Sequence, residues 1–87
     1  MKLKDGFILR DVAGQTIVLP SGNDMDLNMM ITLNDTGKFL WLQLANETTE
    51  EALVSALLRE YDVNMETAQI AVSAFVAKLS ENGFLSN

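Results

Sequence analysis

Apolar residues along this chain change their spacing once, in the stretch from Leu33 to Leu44. Before it they follow a strand period. Gly6 to Val12 and Gln15 to Leu19 are short runs of Phe, Ile, Leu, Val and Thr, and Ala13-Gly14 between them reads as the turn of a β-hairpin. Pro20-Ser21-Gly22-Asn23-Asp24 then ends the second strand, because each of these residues favours a turn for its own backbone reason. From Leu27 the residues Leu27, Met29, Ile31 and Leu33 alternate with Asn28, Met30 and Thr32, which predicts a third strand with one apolar face and one mixed face.

Beyond Asp35 the period becomes helical. Leu40, Trp41 and Leu44 recur at three-and-four spacing, with Asp35 or Thr36 as the expected cap of a first helix over about Thr36 to Leu44. Trp41, the only tryptophan, is expected at the centre of the core. Thr48 and Glu51 have the spacing of a capping box before Leu53, Leu57 and Leu58, so a second helix should run to about Tyr61. Asn64 is the expected cap of a third, with Glu66 in its first turn and Gly83 ending it after Ser80 or Glu81. On a helical wheel Ala68, Val72, Phe75 and Leu79 form its core stripe, flanked by Ala71 and Val76. Ile70, Ala74 and Ala77 fall on the opposite side, as tolerated surface residues or as a face that something covers. The prediction is one α+β domain over residues 1–87: a three-stranded antiparallel sheet followed by three helices in a winged-helix-like bundle.

Composition narrows the function. The chain of 87 residues has no cysteine and no histidine, which removes disulfides, thiol nucleophiles, the commonest general base and the usual zinc ligands. Six basic against twelve acidic residues give a net charge of −6, unsuited to a phosphate backbone. No run is apolar enough to span a bilayer. Asp5 and Gly6 follow the first four residues where a signal core would be apolar, so a cytoplasmic location is expected.

Candidate chemistry is sparse. Asp24-x-Asp26-x-Asn28 matches the first ligand positions of a calcium loop, but Met29 stands where that loop needs glycine and Asp35 where it needs a bidentate glutamate. Glu51 and Glu66 are accounted for by helix starts, and Glu47, Glu50, Glu60 and Glu81 by a solvated surface. No catalytic, metal or cofactor residue is assigned, and no enzymatic activity is expected. Three strands and three helices also fit a winged-helix DNA-binding module. However, Lys78 is the only basic residue between Glu66 and Glu81, where a recognition helix would need several.

Leu33-Asn34-x-Thr36-Gly37-x-x-Leu40-Trp41-x-x-Leu44 resembles the LNxTGxxIWxLL signature of the coenzyme PQQ synthesis protein D (PqqD) family, the small peptide-binding domains also called RiPP recognition elements. Thr48-x-x-Glu51, Tyr61-Asp62-Val63 and Val72-x-x-Phe75-x-x-x-Leu79-x-x-x-Gly83-Phe84-Leu85 follow at the family's spacing. Arg10-x-Val12-x-Gly14 with Val18-Leu19 resembles its first hairpin more loosely. The chain departs from the pattern at Gln43, usually apolar, at Asn46, commonly glycine, and at Ala71, usually an aspartate. The resemblance implies a non-catalytic peptide chaperone. It would bind the leader of a ribosomally made precursor peptide and deliver it to a modifying enzyme, commonly of the radical SAM type, in the biosynthesis of PQQ or of another modified peptide.

In that family the leader adds as a strand to the third strand and packs against the third helix. The residues implied are Asn28, Met29, Met30, Ile31 and Thr32 on the strand and Gln69, Val72, Ser73 and Val76 on the helix. An edge strand with adaptable methionines suits such a partner. The same methionines also suit plain core filling, and the same edge suits pairing with a second copy, so both a monomer and a homodimer remain open.

Overall fold

A computed structural model describes residues 1–20 and 31–86. Strands β1 (Phe7–Val12), β2 (Gln15–Pro20) and β3 (Ile31–Leu33) form one antiparallel sheet in the order β1-β2-β3, and helices α1 (Asp35–Gln43), α2 (Glu50–Glu60) and α3 (Met65–Glu81) follow. This is the α+β architecture expected from the change of period. The predicted start of the third strand, residues 27–30, and the calcium-like Asp24, Asp26 and Asn28 lie outside the described residues.

The hairpin closes at Ala13-Gly14, where φ is +52° and +81°, so both central residues are left-handed and the turn matches the twist of its strands. Register then pairs Val12 with Gln15, Leu9 with Val18, and Val18 in turn with Ile31. Phe7, Leu9, Val18, Ile31 and Leu33 therefore face the helices. Thr32 is exposed between half-buried Ile31 and buried Leu33, the alternation read from the sequence.

Two helix starts differ from expectation. α1 is capped by Asn34, not by Asp35 or Thr36: its Oδ1 accepts the Gly37 N–H at 2.8 Å and its carbonyl accepts the Lys38 N–H at 2.8 Å. Asp35 moves into the first turn, where the helix dipole favours a carboxylate. α2 is capped by Thr49, whose Oγ1 accepts the Ala52 N–H at 3.1 Å. The predicted Thr48–Glu51 box does not form, because the Thr48 N–H donates to the Met1 carbonyl at 2.9 Å and ties that residue to the N-terminal segment. Asn64 caps α3 as expected, its Oδ1 accepting the Thr67 N–H at 2.8 Å. We expect Asn34→Ala to cost about 1 kcal/mol, measured by urea unfolding, since a cap bond is lost without creating a cavity.

α3 ends in a Schellman motif. Gly83, at φ +78°, donates to the Ser80 carbonyl at 3.2 Å, and Phe84 donates to the Leu79 carbonyl at 2.9 Å. That turn drives Phe84 back into the core, where it is 0% exposed. Its ring packs on Phe7 at 4.7 Å and on Trp41 at 5.6 Å between centroids, so the buried tryptophan is one member of an aromatic trio. The N-terminal segment crosses over this trio: Leu3 bridges Leu85, and Lys4 donates to the Phe84 carbonyl at 2.8 Å. On α3, Ala68, Val72 and Leu79 are buried, Ala71, Phe75 and Val76 half-buried, and Ile70, Ala74 and Ala77 exposed, as the wheel predicts. Among the described residues no helix is long and apolar enough to cross a membrane.

Candidate functional site

Among the described residues β3 is hydrogen-bonded only to β2, so its other side presents backbone donors and acceptors without a sheet neighbour. At the end of β3 lies a groove of about 600 Å³, bounded by Gly14, Gln15 and Thr16 of the hairpin, by Thr32, Leu33 and Asn34, and by Phe75 and Lys78 of α3. A second hollow of about 360 Å³ shares Asn34, Gly37, Phe75 and Lys78 with the first and extends along Ala71 and Ala74. The two form one trough between the β3–α1 junction and α3.

Gly37 sets the depth of this trough. A Cβ at that position would lie 3.1 Å from Asn34 Oδ1 and 3.4 Å from Phe75 Cε1, so the bare backbone lets the Phe75 ring close on α1 while the cap bond is kept. The Thr36-Gly37 pair is thus explained by packing. Ala71 and Ala74 line the second hollow together with the ring, and residues 71, 74, 75 and 78 share a face at helical spacing.

Charge sits at the trough's hairpin end. The Thr16 hydroxyl donates to Asp11 Oδ1 at 2.8 Å and Lys38 Nζ stands 3.5 Å from Asp11 Oδ2. First the Thr16 bond and then the Lys38 charge hold the Asp11 carboxyl below its ordinary value. The stability this cluster contributes is therefore present above the unfolded carboxylate's value and lost as pH falls through the lower folded one. With Asp11 exposed, water and salt screen it. Among the described residues no three His, Cys, Asp or Glu side chains gather as metal ligands would.

The residues implied by the resemblance fall in three places. Asn28, Met29 and Met30 lie outside the described residues. Ile31 is half-buried and Thr32 lines the trough. Gln69, Val72 and Ser73 line instead a separate groove of about 420 Å³ shared with α2, and Val76 packs against the core. Phe75 and Lys78, which share a hollow with Thr32 and Leu33, and Ala71 and Ala74 beyond them were not among the implied residues. The signal for them was present: Phe75 sits in the Val72-x-x-Phe75 motif, with small residues one and four positions before it.

A family model for coenzyme PQQ synthesis protein D (PqqD) matches residues 15–85. No curated protein matches the chain. Two solved structures resemble it in fold. TbiB1, in complex with the TbiA(beta) leader peptide, superimposes with a TM-score of 0.76 at 21% identity, over 100% of this chain and 96% of that one. Lasso peptide synthetase B1, complexed with the leader peptide, gives 0.72 at 22% identity, over 95% and 93%.

Proposed function

The chain belongs to the coenzyme PQQ synthesis protein D family, and from that premise we propose that it is a single non-catalytic domain that captures the leader of a ribosomally synthesised precursor peptide and presents it to a modifying enzyme. The observation that carries this reading is the pairing of β3, on one side only among the described residues, beside a trough floored by Leu33, Leu40 and Phe75. An extended peptide gains main-chain hydrogen bonds from such an edge, and alternate side chains gain apolar contact from the trough. Both solved structures of this fold hold a leader peptide, which supports the same assignment here.

Ile31 and Thr32, with Asn28, Met29 and Met30 preceding them, would supply the edge. Phe75, Ala71, Ala74 and Lys78 would supply the helix wall. Gln69, Val72, Ser73 and Val76 would act only from the other side of α3. The modifying enzyme would be of the radical SAM type implied by the resemblance. A second copy is the competing occupant of the same edge.

Isothermal calorimetry with synthetic leaders of ribosomally made precursor peptides tests this. Phe75→Ala should weaken binding at least about tenfold, as expected for an aromatic at the centre of an interface. Amide shifts should centre on Thr32 and Lys78. A leader that binds while leaving both unshifted, or saturable self-association in its place, would sink the reading.

A further inference from the structure

A second groove, on the far side of α3 from the leader trough, has a different chemical character. Its volume is about 420 Å³. The floor is Val54 and Val72, 9% and 1% exposed, and Met65 lies open at its lip with 53% exposure. Glu50 and Glu51, in the first turn of α2, stand at its rim, and no Lys or Arg lines it. Among the described residues neither carboxylate is in an ion pair. Ile70, 63% exposed, lies one helical turn from Ser73, outside the groove's lining.

We propose that this groove is a docking surface for a basic amphipathic segment of the partner protein that receives the leader; calling that partner the modifying enzyme rests on the function proposed above. Charge complementarity selects the occupant. Lys and Arg lay their methylene stems along apolar surface and keep their charged heads at a polar rim, which matches a valine floor under two carboxylates. Met65 adapts its unbranched side chain to whatever stem arrives. The leader trough, by contrast, sets Lys78 against Asp35 and Lys38 against Asp11, so it offers a basic segment no net negative charge. With one groove on each flank, α3 can hold the leader and its recipient together.

The test uses the full chain and two synthetic helical peptides, one patterned with Lys and Leu and one with Glu and Leu. The Lys/Leu peptide should shift the amides of Glu51, Ser55, Gln69 and Ser73, with binding that weakens as salt rises, and the Glu/Leu peptide should not bind. Glu50→Gln with Glu51→Gln should lower affinity about fivefold. Glu60→Gln with Asp62→Asn, an equal change of net charge away from the groove, should leave it unchanged. Shifts at Thr32 and Lys78, equal loss in both double variants, or no binding of the Lys/Leu peptide would each overturn the proposal. Failure of the leader to bind in a separate titration would remove the proposed function and leave this surface standing.

Discussion

Ile31→Pro and Thr32→Pro should give opposite phenotypes, one losing leader binding and the other losing stability. Neighbouring N–H groups on a strand point to opposite edges, so one of these two donates toward β2 and the other toward the open side of β3. Proline removes the donor at either position. Where the N–H faces outward, the sheet is untouched and the incoming strand loses a ladder bond and meets a pyrrolidine ring. Leader affinity should fall by about a hundredfold or more, with the unfolding midpoint almost unmoved. Where it faces β2, the folded state should lose about 1–3 kcal/mol, because a ladder hydrogen bond is removed and its acceptor left unpaired. Calorimetry and urea unfolding on both variants separate the two, and equal behaviour in both assays would refute strand addition at this edge.

Phe84→Ala should cost about 3–5 kcal/mol, the largest effect expected of any single substitution here. The side chain is fully buried against Phe7 and Trp41, so its removal leaves a cavity in the core. A domain of this size has about 5–15 kcal/mol in total, so the variant should be partly unfolded at 37 °C by circular dichroism. A loss below about 1 kcal/mol would show that the aromatic trio does not hold the sheet to the helices.

Strand and helix types were legible because each buries one face, and burial imposes a period on the sequence. Val18, Leu40, Leu53 and Val72 each keep that period and each is buried. Caps were less legible. Asn34, Asp35 and Thr36 are all competent acceptors, and the choice among them depends on where β3 releases the chain. Thr48 and Thr49 are likewise equivalent on paper, until Met1 engages the backbone of the first.

On α3 the trough and the residues implied by the resemblance lie on different flanks. A wheel assigns Phe75 to the core, and the ring does pack there, yet it is half-buried because Gly37 draws it over α1 and leaves its other side open. Gln69 and Ser73, implied by the resemblance, line the groove shared with α2. Which flank of α3 meets β3 is set by the crossing of α2 and α3, a tertiary quantity that one helix's sequence does not contain.

The aromatic trio also sets the order in which this domain can be made. Phe7, Trp41 and Phe84 come from the beginning, middle and end of the chain, so the core has no completed form while the last of them is still inside the ribosome. The hairpin and the helices are local and can form early, in microseconds, whereas Leu3 can meet Leu85 only once that distant residue has emerged. Until that closure the sheet lacks its lid and the β3 edge is exposed beside an open core. During synthesis it is therefore a hazard for misassembly with neighbouring chains, and only afterwards a selective receptor.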